Sequence, residues 1–151
     1  MKLKSLAMGA TLFSILCGSA MAATTECPAV KDITQAVLAS GGYSYEALGP
    51  DGNEKWVGEN PEGQAGDLAT FVFTAAAYRA KSSQGNTDVV SCDFEGAAQD
   101  AFARLTLYSF RDWKAAPGTA WEVNSPAPDR VESCGSKDQK ACAFEYSKLE
   151  R

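Results

Sequence analysis

Four of the five cysteines constrain the fold of this chain more than any other feature of its sequence: Cys27, Cys92, Cys134 and Cys142. The fifth, Cys17, lies in an N-terminal segment that we expect to be removed on export. An even number of cysteines in an exported domain of this size is typical of two disulfides. Three pairings are possible, and we favour Cys27–Cys92 with Cys134–Cys142. The alternative that stays open joins Cys27 to Cys142 and Cys92 to Cys134. A redox role is not indicated, because the sequence contains no Cys-x-x-Cys motif.

The two favoured disulfides would close loops of very different length. In the chain-entropy model, the short loop between Cys134 and Cys142 stabilises the fold by about 2.5 kcal/mol. The long loop between Cys27 and Cys92 contributes about 4.4 kcal/mol in the same model. A four-thiolate zinc site is not favoured, because these cysteines lack the paired close spacing of such sites.

The N-terminal segment predicts the compartment in which these cysteines become oxidised. Two lysines stand among the first four residues, residues 6–17 are apolar, and residues 20–22 (Ala-Met-Ala) form a small-x-small cleavage site. This pattern is typical of a Sec signal peptide and is too short for a membrane span. We therefore expect residues 1–22 to be removed and residues 23–151 to form a single periplasmic or secreted domain in an oxidising environment.

Composition excludes several classes of function. Without the two lysines of the signal peptide, 12 basic and 19 acidic residues leave a net charge of −7. Such a domain is repelled by phosphate backbones and by anionic membranes, whereas a cationic protein partner is compatible with it. The chain contains no histidine, which excludes Ser-His-Asp and Cys-His catalysis and histidine-ligated metals. We expect no cofactor, no metal site and no membrane insertion.

The pattern of apolar residues predicts an α+β or mainly β fold, with a small antiparallel sheet or sandwich and one short N-terminal helix. The helix is predicted to start at Pro28 and to continue through Leu38, and Gly41-Gly42 would stop it. A hairpin is predicted next, with strands at residues 43–47 and 55–58 around a Gly-Pro-Asp-Gly-Asn turn.

Further strands are predicted along the rest of the chain. Residues 68–79 and 88–94 form a second hairpin around a turn at residues 82–86, with Phe71, Phe73, Ala75 and Ala77 on one face of the first strand. Val90, Cys92 and Phe94 are predicted to share a side of the second strand. Shorter strands are predicted in the ranges 101–110 and 119–123. A last hairpin, 130–134 with 143–146, would carry the Cys134–Cys142 loop at its tip.

The order of several short motifs identifies a resemblance that spans most of the domain. These motifs are Cys27-Pro28, Ile33, residues 43–47 (Tyr-x-Tyr-x-Ala), 56–58 (Trp-x-Gly), the Phe-rich strand 71–75, 90–94 (Val-x-Cys-x-Phe), 105–107 (Leu-x-Leu), and Cys134 with 142–144 (Cys-x-Phe). In this order the chain resembles a family of small exported proteobacterial domains of unknown function. The resemblance implies export and this fold, and it implies no activity.

Aromatic residues are the candidate binding residues of the first hairpin. Trp56 is predicted either to anchor a partner or to pack in the core, and the core is favoured because most tryptophans of small domains are buried. Tyr43 and Tyr45 are the other binding candidates on this hairpin. Trp113 and Trp121 flank a turn and are predicted to form an aromatic cluster in the core or at its rim.

Asp93 and Glu95 are two residues apart on a predicted strand and therefore share one face. Paired carboxylates serve glycoside hydrolysis when a second group faces them across a cleft, although a solvated polar face is the favoured interpretation. No nucleophile motif of the Gly-x-Ser-x-Gly type is present. No catalytic residue is therefore assigned.

Three functions remain in competition. The favoured one is an exported, non-enzymatic binding domain of the inhibitor or immunity type that acts on a cationic protein. One alternative is a secreted factor that acts at a host or community surface. The other is a small hydrolase that uses carboxylates.

Overall fold

The computed structural model describes residues 22–81 and 86–150, and most of their regular structure is β. The predicted turn at residues 82–86 lies largely outside the described residues. Helical structure within them consists of 3-10 turns at Val30–Asp32, Leu68–Thr70 and Gln139–Cys142. The strands are β1 (Ala23–Thr25), β2 (Thr34–Val37), β3 (Tyr43–Leu48), β4 (Lys55–Asn60), β5 (Val72–Arg79), β6 (Val89–Glu95), β7 (Phe102–Tyr108), β8 (Phe110–Arg111), β9 (Lys114–Ala115), β10 (Glu122–Ser125), β11 (Val131–Cys134), β12 (Phe144–Tyr146) and β13 (Lys148–Leu149).

Eight of these strands form one antiparallel sheet in the order β10-β11-β5-β6-β7-β4-β3-β2. The remaining strands form a three-stranded sheet, β1-β12-β9, and a two-stranded ladder, β13-β8. Consecutive strands pair as hairpins at β2–β3–β4 and at β5–β6–β7, which is the usual way in which antiparallel sheets are connected. The predicted mainly β, antiparallel fold is confirmed.

The side of the eight-stranded sheet that carries its buried residues, here called the inner face, holds the core. Trp56 on β4 meets Phe110 on β8, with 6.4 Å between ring centroids. Tyr78 on β5 stacks on Trp113 at 3.9 Å, and Trp113 meets the edge of Trp121 at 5.0 Å. The small strands therefore pack on the inner face through aromatic rings, and the predicted cluster of Trp113 and Trp121 is confirmed.

An ion pair between a buried carboxylate and a half-buried guanidinium group lies beside this aromatic cluster. Glu132 on β11 is 4% exposed and accepts a 2.6 Å hydrogen bond from Nε of Arg130. The guanidinium carbon of Arg130 lies 5.3 Å from the ring centroids of both Tyr78 and Trp113. A buried carboxylate needs such a partner, because an unpaired charge in the core is strongly destabilising.

Two disulfides, Cys27–Cys92 and Cys134–Cys142, confirm the favoured pairing. Cys92 is fully buried on β6 in the middle of the large sheet. The first disulfide therefore fastens the N-terminal segment to the inner face, whereas the second closes a local loop of eight residues' separation.

The N-terminal helix is one 3-10 turn at Val30–Asp32, and its predicted continuation to Leu38 is wrong. Thr34–Val37 is instead an edge strand that pairs with β3. The β-branched residues at its two ends favour an extended backbone, and pairing satisfies its polar groups. Gly41 and Gly42, expected to stop a helix, form the hairpin turn with φ of 94° and 78°, a region that favours glycine.

A β-bulge on β5 places the residues of its second half on the opposite face from the one predicted. The register passes from Phe73 opposite Phe94 to Ala75 opposite Asp93, so that Thr74 is an extra residue. Beyond it the buried positions are Ala76 and Tyr78, and not the predicted Ala75 and Ala77. One inserted residue exchanges the two faces of a strand because side chains alternate with a period of two.

The predicted last hairpin does not form. β11 pairs with β10 and β5 in the large sheet, whereas β12 pairs with β1 and β9 in the small one. The disulfide loop between them contains a 3-10 turn whose N-cap, Asp138, accepts a hydrogen bond from the backbone N–H of Lys140 at 3.0 Å. The loop therefore redirects the chain from one sheet to the other.

Candidate binding surface

The aromatic candidates of the β3–β4 hairpin point mainly into the core. Tyr45 and Trp56 are 0% and 1% exposed, and Tyr43 is half-buried. Burial raises the pKa of the Tyr45 phenol above its ordinary value. Trp56 and Tyr45 are therefore part of the packed interior, and the solvent-exposed residues of the hairpin lie on its other side.

The opposite side of the eight-stranded sheet, here called the outer face, exposes apolar side chains on this hairpin. Leu48 is 68% exposed and Val57 is 42% exposed. Val57 lies opposite Glu46 in the ladder. Glu59 is two residues further along β4 and therefore lies on the same face. These four residues form what we call the acidic surface. Sequence reasoning missed it, although the alternation that places Tyr45 and Trp56 inside also places these residues outside.

The segment that contains the acidic surface is rich in carboxylates. Residues 32–62 contain six carboxylates and a single lysine, Lys55. Lys55 forms an exposed 2.7 Å ion pair with Glu46, and such exposed pairs contribute little to stability. Next to them, Asp32 and Thr34 line a shallow depression of about 290 Å³. This short segment therefore carries most of the excess negative charge of the domain.

Buried contacts fix the hairpin that carries the acidic surface. The side-chain amide of Asn60 donates to the carbonyls of Asp100 and Phe102 at 2.7 and 3.1 Å. Gly58 lies so close to β7 that a Cβ atom there would stand 2.1 Å from the carbonyl oxygen of Arg104. The hairpin is therefore held firmly against β7, and a surface held in this way loses little conformational entropy on binding.

Asp93 and Glu95 share the outer face of β6, as the alternation predicts. Arg104 donates to both carboxylate oxygens of Asp93 from Nε and a terminal nitrogen, at 2.6 and 2.8 Å. This hydrogen bonding to Asp93 raises the pKa of Arg104. Both oxygens of Asp93 are therefore engaged in a bidentate pair, an arrangement typical of a structural salt bridge.

Among residues 22–81 and 86–150, no cluster of three or more acidic or cysteine side chains is placed to hold a metal ion. The part of the chain that the structure describes also contains no helix long and apolar enough to cross a membrane.

Fold and surface together define a disulfide-bonded antiparallel β domain with one packed face and one open face. The chain belongs to the family described as a protein of unknown function (DUF3757), whose family model matches residues 21–145. No curated protein and no solved structure matches the chain significantly. The family agrees with the expected uncharacterised domain and assigns no activity.

Proposed function

We propose that this protein is an exported binding domain that recognises a cationic protein through the acidic surface. The observation that carries this proposal is the exposed pair Leu48 and Val57, bordered by the carboxylates of Glu46 and Glu59. Apolar residues supply contact area in such interfaces, and the surrounding charge provides steering and selectivity. An inhibitor or immunity protein that covers a cationic, envelope-degrading enzyme requires these properties.

Export is part of the proposal. Residues 1–21 lie outside the described residues, and β1 begins at Ala23, where the mature chain is expected to start. Two buried disulfides support a periplasmic or extracellular location, because such bonds persist in oxidising compartments. The mass of the protein recovered from periplasm and from culture medium tests both the cleavage site and the final location.

Affinity capture with the oxidised domain tests the binding function. The baits are the wild-type chain, a charge-reversed variant with Glu46→Lys and Glu59→Lys, and a control with Glu26→Lys and Glu122→Lys. The control changes net charge by the same amount at exposed positions away from the acidic surface. Envelope and secreted fractions are applied at about 0.05 M and about 0.3 M salt, because screening shortens the range of electrostatic attraction.

We expect one cationic protein that is retained by the wild type and the control, lost with the charge-reversed variant, and weakened at the higher salt concentration. Val57→Ala should also weaken binding, without a change in charge. A partner retained equally by all baits, or a partner with an acidic surface, would contradict the proposal. Capture of nothing at either salt concentration from all fractions would also contradict it.

A further inference from the structure

A second depression lies on the outer face, on the other half of the large sheet, and it has the opposite charge. It has a volume of about 430 Å³ and is formed by β5, β6, β7 and the chain next to β11. We call it the basic groove and define it by six of its lining residues: Arg79, Lys81, Ser91, Arg104, Thr106 and Tyr108.

The register of the sheet arranges the basic groove in three rows. Ser91 pairs with Thr106 and forms the middle row, which carries two hydroxyl groups. Arg79 and Tyr108 both pair with Val89 and form the row on one side. The row of Arg104 lies on the other side. Rows on one face are about 7 Å apart, because two residues of a strand separate them. The hydroxyl floor therefore lies between two borders that each carry a guanidinium group.

Charges in the basic groove do not cancel. Arg104 is neutralised by its pair with Asp93. Within the described part of the chain, the side chains of Arg79 and Lys81 form no ion pair, and one further carboxylate, Asp129, lines the groove. The groove therefore keeps a small positive excess in a domain whose net charge is negative, and this excess fits a short ligand with a few anionic groups.

We propose that the basic groove binds a short, carboxylated saccharide. A guanidinium group binds a carboxylate in a bidentate manner, which suits Arg79, and Lys81 adds a mobile cation. The hydroxyls of Ser91 and Thr106 and the carboxylate of Asp129 match the hydroxyl groups of a sugar, and the Tyr108 ring offers an apolar side. A long, densely charged polyanion is disfavoured by the negative charge of the rest of the domain. This site borders the acidic surface, because Thr106 pairs with Val57, but it uses none of the four residues that define that surface.

NMR titration of the ¹⁵N-labelled oxidised domain tests this proposal with three probes. They are trigalacturonate, the neutral trisaccharide maltotriose, and inorganic phosphate. We expect trigalacturonate to shift the amide signals of Ser91, Thr106 and Tyr108, and maltotriose to leave them in place. Trigalacturonate without effect at about 5 mM, a concentration above a weak millimolar Kd, overturns the proposal. Phosphate that shifts the same amides with equal affinity also overturns it, because the groove would then be a general anion site.

Paired variants separate a binding role from a structural one. Replacement of both cations, Arg79→Gln with Lys81→Gln, should weaken trigalacturonate binding at least about tenfold, since each charged hydrogen bond contributes on that scale. The control, Lys137→Gln with Lys140→Gln, removes the same charge at an exposed loop and should leave binding unchanged. Both variants should keep the wild-type amide spectrum outside the substituted regions. If both variants lost binding equally, the loss would be due to the change in net charge and not to the groove, and the proposal would be overturned.

Discussion

The two faces of the eight-stranded sheet use the same strands for opposite purposes. The inner face brings together large aromatic side chains, two disulfides and a buried ion pair. The outer face carries single exposed apolar residues and exposed ion pairs such as Lys55–Glu46. Since side chains alternate along a strand, one short sequence segment contributes to both faces.

This difference teaches where the stability of the molecule resides. A buried side chain is fixed by its neighbours, so its replacement disturbs the packing of the core around it. An exposed residue on the same strand has few neighbours, so its replacement should change the free energy of unfolding much less. Adjacent residues such as Trp56 and Val57 should therefore differ sharply in their effect on unfolding.

The largest expected effect is that of Trp56→Ala on the inner face. Trp56 is 1% exposed and contacts the ring of Phe110, so its removal should lower the free energy of unfolding by about 3–5 kcal/mol. Urea unfolding followed by circular dichroism measures this change. The neighbouring Val57→Ala should change stability by at most about 0.5 kcal/mol. Similar losses of stability in the two variants would show that the two faces contribute equally to the free energy of unfolding.

The buried ion pair should give the next largest effect. Arg130→Met leaves the 4% exposed carboxylate of Glu132 without its partner, and we expect a loss of about 2–4 kcal/mol. The double variant, Arg130→Met with Glu132→Leu, should recover at least half of that loss because it also removes the buried charge. A double-mutant cycle measured by urea unfolding checks this. Additive losses would show that the two side chains act independently.

Alkaline pH should weaken the inner face through its tyrosines. Burial raises the pKa of Tyr78 above its ordinary value, and the 2.7 Å hydrogen bond to Asp88 raises it further. Burial also raises the pKa of Tyr45. The neutral phenols are favoured by the folded state. The two tyrosines therefore make their full contribution to the free energy of unfolding below about pH 10, where tyrosine titrates in the unfolded chain. That contribution decreases as the pH rises towards the pKa values of the folded state.

Urea unfolding at about pH 8 and about pH 11 measures this loss of stability. In Tyr78→Phe, which retains the ring that stacks on Trp113, the decrease between the two pH values should be smaller than in the wild type. An unchanged decrease would assign the pH dependence to other groups.

The smallest effect is expected for the ion pair of the outer face. Asp93→Asn removes one side of the Arg104 pair, and both side chains are substantially accessible, at 31% and 65%. Exposed pairs typically contribute about 0–1 kcal/mol, and the loss should shrink further in high salt. Chemical denaturation at low and high salt checks this. A loss comparable with that of Arg130→Met would mean that the outer face also carries much of the stability.

Local patterns predicted much of this fold. The Pro-Asp-Gly turn, the alternation on β6 and the spacing of the cysteines led to the first hairpin, the buried side of β6 and the disulfide pairing. Each of these features depends either on residues close in sequence or on the number and spacing of a few cysteines. The confirmed antiparallel architecture follows from several such hairpins.

The features that could not be predicted depend on contacts between distant residues. Thr34–Val37 is a strand because β3 is available to pair with it, and this tertiary pairing overrides a helix-like pattern. The bulge at Thr74 inserts one residue without any glycine to mark it. The acidic surface was not predicted, because the burial of Tyr45 and Trp56 beside it depends on the second layer that packs on the inner face.

The disulfide between Cys27 and Cys92 also determines how the domain responds to mechanical force. The two cysteines are 65 positions apart in sequence, whereas their Cα atoms are 5.9 Å apart. When the chain is pulled from its two ends, tension passes through the sulfur–sulfur bond and bypasses β2 to β5. A contour length of about 220 Å, at about 3.4 Å per residue, is thereby shielded from extension. The strands that follow Cys92 bear the load, and the chain between the two cysteines cannot be extended by force until the disulfide is reduced.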